Sequence, residues 1–537
     1  VETYHGEYGS YLQEIVDPDA GLAAFGPTHI LLAFDARTAA GRGARAGSAD
    51  EAVAGFVDHV ETCWGRARER FANVSILQQT LLAVLPRVMG SNERRHGLSP
   101  AALIDRMNAA LAERADAAGV DLIDPGSVTI GRDPSYWYDP LMWYKAKQEV
   151  SAIAAPLYGD IVGRVLAAQQ GRSAKCLVLD LDNTLWGGVI GDDGLEGIVL
   201  GQGSPGGEAF LAVQLHALEL SRRGVILAVC SKNDEANALL PFEGHPDMLL
   251  RRGDIAAFVA NWNDKASNIR AIAEILNIGL DSMVFLDDNP FERNQVRQAL
   301  PMVSVPEVSD DPGLVPFCLA DGGYFESVAV TADDLKRREQ YAANAERARL
   351  REDAGDISMY LASLEMRMPW HRFRPVDHER TVQLINKTNQ FNLTTRRYSS
   401  ADVTAVAEDP RAVGLTFRLL DSFGDNGIIA IVIARVDAQH VATIDSWLMS
   451  CRVLGRGVEG ATLDVLVAEV AALGATSLVG VYVPSEKNAM VREHYARLGF
   501  TPVEALPDDA PGTLRSRLTI AEHTPTPHFI TIEEPAA

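Results

Sequence analysis

The apolar positions of this chain fall into three successive patterns. From residue 1 to about 170, short apolar runs alternate with stretches of helical spacing. His29-Ile30-Leu31-Leu32-Ala33-Phe34, after the turn Gly26-Pro27, reads as a strand, and Val120–Asp124 as another; Asn73–Val84 and Leu103–Ala118 carry apolar residues at helical intervals. From about 171 to 325 come three contiguous apolar runs too short for helices, Cys176–Leu179, Gly224–Cys230 and Met283–Leu286. Such runs predict strands buried on both faces, as in a parallel sheet. Residues 326–357 are charged with helical spacing, opening on a capping-box pattern, Thr331…Asp334. From 358 to 537, Thr416–Leu420, Gly427–Val436 and Val441–Leu448 predict consecutive strands around a hairpin-type turn at Asp421–Gly427, ahead of a helical run Ala461–Ala472. The expected class is α/β throughout the first two regions and α+β in the last.

The polar residues at the end of each central run change the picture. The first run ends in Asp180-Leu181-Asp182-Asn183-Thr184 and a turn with Gly187 and Gly188. The second ends in Ser231-Lys232-Asn233, and the third in Asp287-Asp288-Asn289-Pro290. Lys265 opens the helical pattern Ala266–Leu276. In an open α/β sheet, chemistry sits beyond the carboxyl ends of the strands, so these groups converge on one acidic pocket. Carboxylates that close require a cation, and oxygen-only ligands with no His or Cys select Mg²⁺.

Composition narrows the function classes. At 537 residues the chain is long enough for about three domains. A net charge of −23 argues against nucleic acid or a membrane as partner, and an acidic protein partner would need a local basic patch, for which Arg251-Arg252, Arg396-Arg397 and Arg452/Arg456 are the choices. Cys63, Cys176, Cys230, Cys318 and Cys451 are odd in number and widely spaced, without disulfide or zinc spacing. With no leader-like start and no membrane-length run, the expected location is cytoplasmic.

A second site is expected near Ser450–Glu459. Arg452-Val453-Leu454-Gly455-Arg456-Gly457, between a strand and a helix, exposes backbone N–H groups at a helix N-terminus, suited to a pyrophosphate or phosphopantetheine. Cys451 lies beside Arg452 and near Arg456, where positive charge and the helix N-terminus would activate a thiolate; the alternative is a small buried apolar residue. Cys230 adjoins Ser231, and strand alternation turns it away into the core. Asp445 and His440 are equally a base for that thiol or structural. Asn386, Asn389 and Asn392 supply amide donors for a hydroxyl-rich or phosphorylated acyl group, or they cap a helix end.

The motifs Asp180–Thr184, Ser231, Lys265 and Asp287-Asp288, in that order, resemble the haloacid dehalogenase (HAD) phosphohydrolases. That resemblance implies a Rossmann-like domain over 171–325, without a cap because no large insertion comes after Trp186 or Ser231. It implies Asp180 as nucleophile, Asp182 as general acid/base, and a Mg²⁺ site from Asp180, the Asp182 carbonyl, Asp287 and Asp288. Thr184, Ser231, Lys232, Asn233 and Lys265 would hold the phosphate. Residues 1–170 resemble an SGNH-hydrolase-like domain that lacks the catalytic pattern: there is no Gly-Asp-Ser block, and Asp139-Pro140-Leu141-Met142 stands where Asp-x-x-His would be. The Gly455–Gly457 loop, Asn488 and Tyr495–Phe500 resemble the GNAT acetyltransferases over 358–537. Together the regions resemble the FkbH-like proteins of polyketide assembly. This implies an enzyme that takes a glyceryl unit from D-1,3-bisphosphoglycerate through a Cys thioester to the phosphopantetheine of a holo acyl carrier protein and removes the 3-phosphate. The alternatives are a stand-alone Mg²⁺ phosphatase of a small metabolite and a CoA-dependent acyltransferase with a vestigial phosphatase.

Overall fold

A computed structural model describes the chain apart from residues 1, 72, 129–133, 330–334, 336–339, 341–346, 348–349, 351–355, 389–390, 451–452, 486 and 534–537. The chain packs as two units, Val1–Ala168 with Ser399–Asp402, and Gln169–Tyr398 with Val403–Ala537.

The first unit holds a parallel sheet of β1 (His29–Leu32), β2 (Ser75–Gln79) and β3 (Asp121–Ile123), in that order. The long helices Ala49–Arg70 and Pro100–Ala118 start at Ser48 and Ser99, whose hydroxyls accept from the Glu51 and Ala102 N–H groups. Their apolar stripes meet the strands in a core of Ile30, Val60, Trp64, Ile76 and Leu111. The helical expectation for Asn73–Val84 is overturned, because this segment is the central strand β2. Two buried amides caused the misreading, since Gln78 and Gln79 interrupt the apolar run and mimic helical spacing. Gln78 is kept inside by bonds from the Trp64 indole N–H (3.1 Å) and to the Leu32 carbonyl (3.0 Å). Asp139 caps the helix Pro140–Ala146, accepting from Leu141 N–H at 2.8 Å.

The second unit contains two sheets. The first is fully parallel, with β4 (Cys176–Leu179), β5 (Ile226–Ser231), β6 (Ile255–Ala260) and β7 (Met283–Leu286) in the order β6-β5-β4-β7. Every residue of β4, β5 and β7 is buried, which is why the sequence shows unbroken apolar runs. Leu177, Leu179, Leu227 and Val229 face the helix Pro205–Arg222 on one side, while Val178, Ala228 and Cys230 face the helix Lys265–Leu276 on the other. Helices on both faces leave the carboxyl ends of the strands as the open edge.

The second sheet comprises β8 (Met366–Arg372), β9 (Ala412–Asp421), β10 (Gly424–Val436), β11 (Val441–Met449), β12 (Ser477–Tyr482), β13 (Thr501–Val503), β14 (Leu514–Thr519) and β15 (Ile530–Glu533), ordered β13-β14-β12-β11-β10-β9-β8-β15. It is mixed. β11 and β12 run parallel, as do β8 and β15, and the other pairs are antiparallel. The turn at Ser422-Phe423 joins β9 to β10, and the helix Val458–Ala472 packs its apolar side into the same core as Leu415 and Val432. Between the two sheets, Leu335, Gln340, Arg347 and Leu350 are helical, whereas Thr331 and Asp334 lie outside the described residues. No helix among the described residues is long and apolar enough to cross a membrane.

Candidate active site

Asp180 is the first residue after β4, and its N–H donates to the Leu286 carbonyl (2.9 Å), which fixes it between the tips of β4 and β7. The chain then turns sharply. Asn183 takes a left-handed conformation (φ 57°), common for Asn and costly for most other residues, and its side chain accepts from the Gly188 N–H at 2.9 Å. The turn brings Asp182 back over the tip. Its carboxylate accepts from the Trp186 indole N–H, the Ile190 N–H and the Asn233 amide, each at 3.0 Å. Burial nonetheless outweighs these bonds and raises its pKa, which favours the protonated form that a proton donor needs.

The carboxylates of Asp180, Asp287 and Asp288 offer oxygens that all lie within 4.8 Å of one another. Lys265, almost fully buried at the start of its helix, faces them. Its ammonium is 2.6 Å from Asp180 Oδ1 and 3.1 Å from Asp287 Oδ2, and it donates a well-directed hydrogen bond to the Cys230 carbonyl at 2.8 Å. The two carboxylate oxygens are thus held by charge but have no donor aligned on them. Burial works against the Lys265 charge, yet Asp180 and Asp287 more than reverse it, so its pKa lies above the usual lysine value. Burial first, and then the Asp180 charge, raise Asp287 to about 7 and push Asp288 up as well. When all three are ionised, the carboxylates outweigh the Lys265 ammonium by two negative charges in a largely buried pocket, which is why burial and mutual repulsion hold Asp287 and Asp288 toward the neutral form until a cation binds. A hard divalent ion with oxygen ligands matches both that excess and the unaligned oxygens.

The remaining residues assigned to phosphate or metal divide by role. Thr184 ties the first loop to the last: its hydroxyl accepts from the Asp288 N–H (3.2 Å) and lies 3.4 Å from Asp288 Oδ1, so it orients Asp288. Asn233 donates to Asp182, and Lys232 pairs with Glu292 at 2.6 Å. Ser231 is buried at the end of β5. The Asp182 carboxylate stands outside the trio, engaged by Trp186, Ile190 and Asn233, so its side chain is no ligand. Arg293 was not anticipated. It is buried, donates to the carbonyls of Asp287 (3.0 Å) and Asp288 (2.6 Å), and pairs with Glu307 at 2.6 Å, clamping the acidic loop. Its signal lay in Asn289-Pro290, a helix start that sets residue 293 one turn on, beneath the loop.

The second expected site differs from its reading. Cys451, Arg452 and Asn389 lie outside the described residues. Gly455 and Gly457 have φ values of 75° and 82°, and Gly457 directly precedes the helix Val458–Ala472, as expected. Arg456, however, is buried against Asp421 (3.1 Å), which also holds Arg347 at 2.7 Å. It is committed to the hairpin rather than presented to an anion. Of the two roles expected for Asn386 and Asn392, the bonds are of the structural kind, at the end of the helix His378–Lys387: Asn386 brackets the Tyr398 backbone (2.9 and 3.3 Å), and Asn392 bridges the Thr388 carbonyl and the Thr395 N–H (3.1 and 2.9 Å). Asp445 accepts from the Tyr398 hydroxyl at 2.6 Å, and the His440 ring lies 2.9 Å from the Gly474 carbonyl. Cys63, Cys176 and Cys230 are buried, and burial raises the Cys230 thiol to about 12.

No family model and no curated protein matches the chain. Among solved structures, the N-terminal part of the protein BF1531 from Bacteroides fragilis, containing a phosphatase domain complexed with Mg, is 34% identical, with 61% of this chain and 87% of that chain covered and a TM-score of 0.57. The ribosomal-protein-S18-alanine N-acetyltransferase of Escherichia coli is 17% identical over 28% of this chain and 94% of its own, with a TM-score of 0.22. The GNAT domain of PAT from S. lividans is 18% identical over 28% and 89%, with a TM-score of 0.23. With its strand-tip carboxylates in place and that first degree of identity, the chain belongs to the family of the phosphatase-domain protein BF1531.

Proposed function

We propose that this chain is a Mg²⁺-dependent phosphatase joined to an acyl-transfer region, and that it loads a phosphoglyceryl unit from D-1,3-bisphosphoglycerate onto the phosphopantetheine of a carrier protein and removes the 3-phosphate. The observation that carries the reading is the Asp180/Asp287/Asp288 trio facing Lys265. Bound there by Asp180, Asp287 and Asp288, Mg²⁺ would neutralise the nucleophile and the phosphoryl oxygens. Asp180 attacks phosphorus while the ester oxygen leaves, taking the proton from Asp182, whose burial shifts it toward the protonated form. Water, deprotonated by Asp182, then releases inorganic phosphate and restores Asp180. Lys265 supplies fixed positive charge at the attacking carboxylate throughout.

Support for the acyl-transfer part is the mixed sheet with parallel β11 and β12 and the two left-handed glycines before the helix Val458–Ala472. Cys451 is the thiol assigned to the thioester. The test is intact-mass analysis of a holo carrier protein after incubation with the enzyme, Mg²⁺ and 1,3-bisphosphoglycerate: a glyceryl adduct is expected, a phosphoglyceryl adduct with Asp180→Asn, and none with Cys451→Ala. An unmodified carrier in the wild-type reaction overturns the reading. A second reading, a phosphatase of a small metabolite alone, is favoured by Asn386, Asn392 and Arg456 being spent on internal partners. It predicts hydrolysis of free phosphoglycerate at a rate indifferent to the carrier.

A further inference from the structure

The mouth of the phosphatase pocket is narrow. The Asp180 side chain is only 12% exposed, and Lys232 and Glu292 join across the opening from the ends of β5 and β7. Among the described residues, the segments that follow the first two strand tips are short. Between Trp186 and the helix Pro205–Arg222 it builds one short helix, Ile190–Gly197, and after Ser231 it goes straight into the helix Glu235–Gly244.

Two aromatic rings nonetheless stand in water at this edge. Trp262 and Phe291 are each 71% exposed. Trp262 lies on the loop from β6 to Lys265, and Phe291 on the first turn after Asp288, so they come after the two outer strands of the order β6-β5-β4-β7. Those strands lie roughly 14 Å apart at the sheet spacing, with the Asp180 tip between them. Scattered exposed apolar residues are ordinary, but two large rings placed after the two outer strands, on either side of the strand that ends at Asp180, are a defined arrangement. Each is also tied to the site. The Trp262 indole N–H donates to Asp234 Oδ1 (3.0 Å), next to the Asn233 that holds Asp182, and Phe291 adjoins the Glu292 that holds Lys232.

The charge around them narrows the occupant. Trp262 sits by Asp234 and Asp264, and Phe291 by Glu292, whose charge Lys232 offsets at 2.6 Å, so these neighbours bring no net positive charge for an anion and the rings suit a neutral, partly apolar chain. We propose that Trp262 and Phe291 determine specificity by gripping the neutral amide-and-methyl arm that carries the phosphoacyl group, so that the arm lies across the mouth of the pocket. This rests on the phosphatase reading above and adds the residues that recognise the substrate beyond its phosphate.

The test compares two probes, the pantetheine thioester of 3-phosphoglycerate and free 3-phosphoglycerate, across wild type, Trp262→Ala, Phe291→Ala and Trp262→Phe. Covering about half of each ring predicts a KM for the thioester about tenfold higher in each Ala variant. The ratio of kcat/KM for the thioester to that for free phosphoglycerate is therefore expected to fall about tenfold in each Ala variant, with Trp262→Phe restoring most of the loss. Equal KM values in wild type and both Ala variants, or equal losses on both probes, overturn the assignment while leaving the phosphatase reading intact. If wild type releases phosphate from the free acid but not from the thioester, the carrier-linked reading falls and this assignment falls with it.

Discussion

Replacing Asp287 by Asn should stabilise the metal-free protein at alkaline pH and destabilise it at acid pH. The Asp287 side chain is fully buried, and its carboxyl is raised from 3.8 to about 7, by burial first and by the Asp180 charge second. That displacement corresponds to about 4 kcal/mol in favour of the neutral form. A raised carboxyl contributes stability that is fully present below its unfolded value and lost as pH rises through its folded value. Metal-free wild type therefore loses up to about 4 kcal/mol from this group between pH 4 and pH 8. Asn cannot ionise and escapes that loss. Its NH₂, however, must face either the Lys265 ammonium or the Asn289 N–H that Asp287 Oδ1 accepts at 2.8 Å, which costs roughly 1 kcal/mol. The variant should be about 2–3 kcal/mol more stable than wild type at pH 8 in EDTA and about 1 kcal/mol less stable near pH 4. Mg²⁺ should raise the wild-type midpoint at pH 8 and leave the variant much less affected. Urea unfolding of both proteins at the two pH values, with and without Mg²⁺, measures all of this. A variant less stable than wild type at pH 8 without metal, or one with an undiminished Mg²⁺ response, would refute the reasoning.

Other perturbations rest on the same geometry. Lys265→Met removes the ammonium that faces Asp180 and Asp287 and should cost about 3–5 kcal/mol by urea unfolding, with phosphatase activity abolished. Asp182→Asn should slow hydrolysis of an alkyl phosphate about 100-fold or more, but a substrate with an acidic leaving group far less, because only the former needs the proton. A flat leaving-group dependence would contradict the acid role. Asp421→Asn strips the carboxylate shared by Arg347 and Arg456 and should destabilise the second unit by about 3 kcal/mol, whereas Tyr398→Phe, which loses one bond to Asp445, should cost about 1 kcal/mol. Both are read from chemical denaturation.

Legibility in the sequence tracked the range of the interactions. The tips of β4, β5 and β7 could be read because parallel strands buried on both faces leave contiguous apolar runs, and the residues just past each run must lie at the open edge. Gly455 and Gly457 were legible because a left-handed backbone selects Gly locally. β2 was not, since Gln78 and Gln79 interrupt its apolar run, and Gln78 is kept inside by partners distant in the chain, Trp64 and Leu32. Arg456 looked like an anion ligand until the fold placed Asp421 beside it, 35 positions away. Asn386 and Asn392 read equally as ligand donors or helix-end caps, because a sequence cannot show that the backbone at Thr388, Thr395 and Tyr398 takes those amides. Thr184 and Asn233 read as phosphate ligands by position, and the fold adds that each orients an acid.

The central claim is that a buried carboxylate at a strand tip takes up phosphorus. Acid-quenching the enzyme during turnover of 3-phosphoglyceryl-pantetheine with Mg²⁺, with peptide mass mapping of the quenched protein, examines this directly. One phosphoryl group is expected on the peptide containing Asp180, absent without Mg²⁺ and absent in Asp180→Asn. Phosphate release from that substrate with no phosphorylated peptide at any quench time would contradict it.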